Sequence, residues 1–349
     1  MTNHYKNLCE LPGISGNESR IRQYMQSHME KYQDFKIIKD RLGGIYAYKT
    51  SNHPNAKTLL IAGHMDEVGL MVKSILKNGH LEVLPIGGLS GDVFISQVMY
   101  VYTKSGDKIP GVIGSVPPHL KEANKIEISN LLLDVGTESK EETLELGVNL
   151  GDMVLFDTPY QLTKNKKRWI AKAIDNRFGC ALALEAIEQF SGKSFDYNLI
   201  IGATTQEEVG LRGAEIATNL FKPDMFIALD CSPLNDLHDK NSLAKLGEGF
   251  LLRIYDPKNI MLASLKTYFK QLADSHNIKY QPYISMGGTD AAKAIDMYEG
   301  IPSTTIGLPA RYIHSTAAIA DLFDLEQARN MLFTLIGDLN SDKIKSFYE

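Results

Sequence analysis

The chain opens on a helical period and then changes to a strand period. Ile21, Tyr24, Met25 and Met29 recur at helical spacing, which predicts one amphipathic helix with Ser15 or Asn17 as its N-cap. Strand-like runs follow at FKIIKD (35–40), GGIYAYK (43–49) and KTLLIAGHMDEVG (57–69). The continuous apolar stretch in the third predicts a strand covered on both faces. From about residue 70 to 163 only short β-like runs occur, VKSI, HLEVLPI, QVMYVYT, GVIGSV and DMVLFD, broken by Gly, Pro and charged turns. That is the pattern of a small all-β insertion. Beyond Trp169 helices and strands alternate: a helix in DNRFGCALALEAIEQF, a strand in YNLIIGATTQEEVG, a helix in GLRGAEIATNLF and a strand in DMFIALD. Helices over 262–275, 289–294 and 325–339, with a strand at PSTTIGLP, complete the set. Alternation of this kind predicts an α/β fold with a mostly parallel or mixed sheet flanked by helices. The main domain is then discontinuous, residues 1–69 and 164–349, interrupted by the insertion at 70–163.

Composition adds exclusions. Hydrophobic residues at 44% and charged residues at 23% are ordinary for a folded globular chain. A net charge of -5, with no basic face interleaved with aromatics, argues against nucleic-acid binding. The densest basic run, Lys164 to Arg168, reads as a solvated turn. Cys9, Cys180 and Cys231 form no CxxC and are odd in number, so neither a disulfide framework nor a thiolate zinc site is expected. Cys180 and Cys231 read as packing groups. A reducing cytoplasm suits this usage. The N-terminal residues lack a signal-peptide pattern, and no apolar stretch is long enough to span a bilayer.

Against that background, His64, Asp175, Glu208, Asp230 and His314 draw attention, because each closes or follows an apolar strand-like run. If the runs are neighbouring strands, their ends converge, and two imidazoles with three carboxylates can hold a pair of divalent cations. Asp66 lies two residues from His64, on the same side of an extended chain, where it can orient the imidazole. Read alone, Asp175 is a helix cap and Asp230 a strand-terminal acid that is costly to bury without a partner. Glu207 and Glu208 can share a site only where their strand ends. One can then bind metal while the other accepts a proton from water whose pKa a cation lowers. Their blander reading is a pair of surface acids at a helix start. The other histidines, His4, His28, His53, His80, His119, His238 and His276, read as surface residues. Gly287 and Gly288 shape a loop into a helix capped by Thr289 or Asp290. No GxSxG turn, P-loop or GxGxxG is present.

Taken in order, GHMDEVG, AIDNRFGC, QEEVGLRGA, ALDCSP, GGTDA and PSTTIGLPARYIHS resemble the tetrahedral aminopeptidase family of dinuclear metallopeptidases over nearly the whole chain. The stretch from DCSP through RIYDP to ARYIHS most resembles its bacterial glutamyl members. The resemblance implies a zinc-aminopeptidase-like α/β domain with an inserted β-barrel used for dimerisation, and dimers that assemble into a tetrahedral dodecamer. It implies one metal on His64, Asp175 and Asp230, and a second on Asp175, Glu208 and His314. Asp66 becomes the orienting carboxylate and Glu207 the general acid/base. Zinc suits the mixed ligands, and cobalt or manganese also fit. The substrates implied are peptides with a free N-terminus. For an acidic first residue Arg253 is the candidate partner, with Arg212 and Arg311 as alternatives. A glycoside hydrolase of endoglucanase type, a mono-metal deacetylase and a non-catalytic scaffold are the competing readings.

Overall fold

The computed structural model describes residues 2–115, 127–239, 242 and 244–348. Val116, which ends the run GVIGSV, and His119 lie outside them. The chain begins with α1 (His4–Glu10) and α2 (Ser19–Met29), then enters a sheet through β1 (Lys36–Lys39), β2 (Ile45–Lys49) and β3 (Thr58–His64). Next come β4 (Gly69–Ile75), β5 (Leu81–Ile86), β6 (Val98–Tyr102), β7 (Lys108–Ile113), β8 (Leu132–Asp134), α3 (Lys140–Glu145) and β9 (Met153–Leu155). The chain returns to the sheet through β10 (Gln161–Leu162), β11 (Arg168–Ala171), α4 (Ile174–Phe190), β12 (Asn198–Thr204), α5 (Arg212–Phe221) and β13 (Met225–Leu234). It closes with β14 (Phe250–Asp256), β15 (Asn259–Ile260), α6 (Ala263–Ser275), β16 (Tyr280–Ile284), α7 (Asp290–Ala294), β17 (Ser303–Arg311), β18 (Ala318–Asp321), α8 (Leu322–Asp338) and α9 (Ser341–Ser346).

Two architectures result. The large mixed sheet runs β1-β2-β12-β3-β13-β17-β18-β11-β10, with β14 branching from β17 and pairing in turn with β15 and β16. Strands β12, β3, β13 and β17 are mutually parallel at its centre. Their continuous burial follows from helices on both faces: α1, α2, α4, α6 and α8 cover one, α5 and α7 the other. The second unit is a closed antiparallel barrel, β4-β5-β8-β7-β6-β9, around Leu70, Phe94, Met99, Val101 and Leu133. Closure leaves no strand edge unpaired, which a small isolated sheet of this length would otherwise expose. Ile14, Tyr102, Met153 and Leu155 pack together and fasten the barrel to the N-terminal segment.

Several local readings change. α1, β16, β18 and α9 carry too few periodic positions to announce themselves in the sequence. Neither Ser15 nor Asn17 caps α2: its N-cap position is Glu18, which makes no capping bond. Ser15 instead donates to Asp66 at 2.6 Å. β13 does not stop at Asp230 but runs on to Leu234, and β17 continues through Pro309 to Arg311, because the two strands pair with each other along that length. His53, His238 and His276 are exposed, whereas His4, His28 and His80 are half-buried. His4 stacks edge-on against His28 and its Nδ1 lies 2.9 Å from the Tyr24 hydroxyl. All three cysteines are buried and free. Among the described residues no helix is long and apolar enough to cross a membrane.

Candidate active site

Strand register delivers the first groups. β3 and β13 pair Ala62 with Ala228, so that two residues further along His64, at the carboxyl end of β3, and Asp230, inside β13, stand at one level. Open α/β sheets place ligand sites at such carboxyl ends. β12 pairs Thr204 with His64 and then leaves the sheet. Gln206, at a φ of 52°, turns the chain so that Glu207 and Glu208 both face the same side. Helix α4 brings Asp175 over these strand ends. It can approach because Gly63 and Gly179 have no side chains. A Cβ on Gly179 would lie 2.4 Å from the Leu229 carbonyl oxygen, and one on Gly63 would lie 2.7 Å from the Gly179 backbone. Asp175 does not cap the helix. Asn176 Oδ1 accepts from the Gly179 N–H at 2.9 Å and takes that part.

The side chains converge tightly. His64 Nε2 lies 3.3 Å from Asp175 Oδ1, 3.6 Å from Asp230 Oδ1 and 3.8 Å from Glu207 Oε2. His314 Nε2 lies 3.4 Å from both Asp175 Oδ2 and Glu208 Oε1. The two oxygens of Asp175 therefore face different imidazoles. The outer ring nitrogens are engaged too: His64 Nδ1 is 3.0 Å from the Asp66 carbonyl oxygen and 3.5 Å from its carboxylate, and His314 Nδ1 is 2.8 Å from the Gly88 carbonyl of the barrel. Asp66 also accepts the backbone N–H groups of Glu207 and Glu208, each at 3.1 Å. One carboxylate thus fixes both the ring of His64 and the turn that presents the two glutamates.

Burial of so many acids sets the electrostatics. Desolvation pushes Glu207 well above the usual carboxylate range, Asp230 and Glu208 add to it, and His64 opposes. Glu208 and Asp230 are raised for the same leading reason. For His64 burial acts downward, yet Glu207, Asp175, Asp230 and Asp66 outweigh it and hold the imidazole well above its ordinary value. His314 is pushed up to about 11 against its own burial by Asp175 and Glu208. Asp175 and Asp66 end below the usual range although burial alone would raise them, Asp175 because of His314 and His64, Asp66 because of His64, Ser15 and the Glu207 N–H. The cluster favours positive charge at its centre. Cations fit it: three overlapping groups, His64/Asp175/Asp230, His64/Glu207/Glu208 and Asp175/Glu208/His314, each have donor atoms within 4.8 Å of one another. Asp175 Oδ1 and Glu208 Oε1 are buried without a hydrogen-bond partner, which metal coordination would supply.

These groups line a cavity of about 620 Å³ together with Leu211, Pro233, Arg253, Lys258, Met286 and Ile313. Arg253 is buried beneath it. Its Nη1 donates to the Gly287 carbonyl at 3.0 Å and its Nη2 to Ser232 Oγ at 2.6 Å. Arg212 and Arg311 are not brought there. Arg212 is exposed and donates to Gln206 Oε1, and Arg311 is tied by two bonds, 2.7 and 2.6 Å, to Asp236. Thr289 caps α7, while Asp290 turns inward to Thr204 Oγ1 at 2.5 Å. In the sequence Ser15 reads as a helix cap and Lys258 passes unnoticed. Only the tertiary fold carries them to the site, and no local pattern marks either one.

Residues 43–331 match the family described as M42 glutamyl aminopeptidase. The chain belongs to the M42 peptidase family. Over 344 residues this M42 peptidase is 41% identical to the glutamyl aminopeptidase of Lactococcus lactis subsp. cremoris (strain MG1363), covering 97% of this chain and 96% of the relative. Its fold superposes on the TET aminopeptidase from the marine sediment archaeon Thaumarchaeota archaeon SCGC AB-539-E09 with a TM-score of 0.93 at 33% identity, over 99% and 98% of the two chains. The Pyrococcus horikoshii TET1 peptidase, described as able to assemble into a tetrahedron or a large octahedral shell, gives 0.87 at 29% identity over 97% and 99%. The M42 peptidase is accordingly a metal-dependent aminopeptidase, a hydrolase of peptide bonds. Sugar cleavage, deacetylation and a purely scaffolding role fall away.

Proposed function

We propose that this M42 peptidase holds two divalent cations and releases N-terminal residues, preferentially acidic ones, from peptides. The observation that carries the reading is the division of Asp175, one oxygen 3.3 Å from His64 Nε2 and the other 3.4 Å from His314 Nε2. A carboxylate so placed would help to hold two divalent cations. His64, Asp175 and Asp230 are assigned to one cation, and Asp175, Glu208 and His314 to the other. Zinc suits these donors, and cobalt and manganese are compatible with them.

When bound, such cations polarise a carbonyl and lower the pKa of water. Glu207 is assigned the proton transfers: its carboxylate takes a proton from the attacking water and returns it to the departing amine. Burial holds this carboxyl above its usual range, which favours its taking up a proton. Asp66 fixes the ring of His64, and the Gly88 carbonyl that of His314. Arg253 is assigned to the acidic side chain of the substrate, a reading supported by its place under the cavity and by the glutamyl aminopeptidase relative.

Residues 1–69 and 164–349 are assigned to catalysis and 70–163, which contain the barrel, to dimerisation. The assembly described for the Pyrococcus horikoshii peptidase supports a homo-oligomer, and a tetrahedral dodecamer of such dimers is the proposed form. Three free buried thiols suit a reducing cytoplasm. The test is cleavage of Glu-, Leu- and Lys-p-nitroanilides beside N-acetylated controls, with and without chelator. Loss of free-amine hydrolysis on chelation and recovery with Zn or Co is expected, with Glu the best substrate. Hydrolysis that ignores chelation, or equal rates on acetylated substrates, would refute the proposal.

A further inference from the structure

Directly behind the metal-ligand cluster lies a second group of charges that the proposed chemistry does not use. Glu67, Lys172 and Arg177 have side chains 4%, 3% and 0% exposed. Lys172 Nζ donates to both Glu67 oxygens, at 2.7 and 2.8 Å, and Arg177 Nη2 donates to Glu67 Oε1 at 3.0 Å. Burying three charges is expensive unless they are paired and their remaining donors satisfied. Backbone carbonyls of one segment take most of them, Arg177 Nε being left without a partner: Arg177 Nη1 donates to Leu8 and Leu11 at 2.8 and 2.7 Å, Arg177 Nη2 to Gly13 at 3.2 Å, and Lys172 Nζ to Leu11 at 3.1 Å. Glu67 and Gly13 exchange two further bonds, Gly13 N–H to Glu67 Oε1 and Glu67 N–H to the Gly13 carbonyl, both at 3.0 Å.

The positions of these residues give the group a task. Glu67 adjoins Asp66 and follows His64 by three residues, while Lys172 and Arg177 bracket Asp175. The Glu67 carboxylate therefore ties the loop bearing His64 to the turn bearing Asp175, whose oxygens face both imidazoles. The segment it grips leads straight to Ser15, which bonds Asp66, and to Glu18, which accepts the Gln206 N–H at 3.2 Å. We infer that Glu67, through Lys172 and Arg177, is a positioning residue that sets the spacing of His64 and Asp175 and so the affinity of the site for its cations.

This inference rests on the two-metal reading, so the experiment first counts Co²⁺ bound by the metal-stripped wild-type chain. Absence of binding there refutes that reading and leaves no role to position. Given binding, Glu67→Gln removes the charge that separates two cations while keeping the side chain's shape. Its Co²⁺ dissociation constant should rise several-fold, up to about 10-fold, the lower end of the effect of losing a group bonded directly to a metal ligand. The visible Co²⁺ spectrum should change, and at saturating metal kcat should fall more than KM changes. Adding Lys172→Met to Glu67→Gln removes one of the two unpaired cations and should recover part of the affinity. A merely structural pair would lower the melting temperature and leave the dissociation constant and spectrum of the folded fraction untouched. Should Glu67→Gln fail to fold, Lys172→Met alone, which keeps the Glu67–Arg177 pair, is read in the same way. Folded variants with wild-type Co²⁺ affinity and spectrum overturn the inference.

Discussion

Glu207 donates its backbone N–H to Asp66 while its side chain faces His64 at 3.8 Å, so a change confined to the carboxyl should separate chemistry from architecture. Glu207→Gln is expected to retain metal, measured by elemental analysis, and to lose about 10²- to 10⁴-fold in kcat, the range for general acid–base groups. Substrate choice has its own test at this scale. Arg253, buried under the cavity, is held in place by Gly287 and Ser232, whereas Lys258 lines the cavity with an exposed side chain. Arg253→Met should lower kcat/KM for Glu-p-nitroanilide far more than for Leu-p-nitroanilide, and Lys258→Met should lower the Glu/Leu ratio by a smaller factor. Arg212→Ala should leave the Glu/Leu ratio unchanged. The ligand candidates were legible in the sequence because each sits where an apolar run meets an acid or imidazole. Ser15 and the partners of Glu67 were not, since what matters about them is a neighbour at least 51 positions away, as with Ser15 and Asp66, and Lys258 gains its place only when the cavity forms.

At the scale of elements, periodicity announced β3, β12, β13 and the helices between them, and missed what tertiary pairing decides. Asp230 and Pro309 looked like strand ends. Mutual pairing of β13 and β17 carries both strands past them. Asp175 looked like a cap until Asn176 was found in that role, and the reason is the close approach of α4 at Gly179. Gly179→Ala would force its Cβ against the Leu229 carbonyl, and a loss of about 1–3 kcal/mol is expected, read by thermal or urea unfolding. The start of α8 offers a pH test. Asp324 accepts the N–H groups of Gly247 and Gly249 at 2.8 and 2.7 Å, yet burial pushes its carboxyl up to about 7 from 3.8. A group raised on folding contributes stability that is full below its unfolded pKa and is lost as pH rises through the folded one. The wild type should thus lose melting temperature relative to Asp324→Asn between about pH 4 and about pH 7. A difference constant across that window would contradict the assignment.

The molecule as a whole combines a sheet domain, whose strand ends build the site, with a closed barrel beside it. Cations that bind only the folded chain stabilise it by mass action, by about 2.7 kcal/mol at a hundredfold excess over the dissociation constant. Stripping metal should therefore lower the melting temperature, and Zn or Co should restore it in a concentration-dependent way; a chelated protein with unchanged melting behaviour would speak against ligand-held cations. The bond from His314 Nδ1 to the Gly88 carbonyl carries a consequence across the domain boundary. It makes the tautomer and tilt of an imidazole in the peptidase pocket depend on a loop that belongs to the other unit. Any displacement of that loop would be felt at His314 without anything entering the cavity.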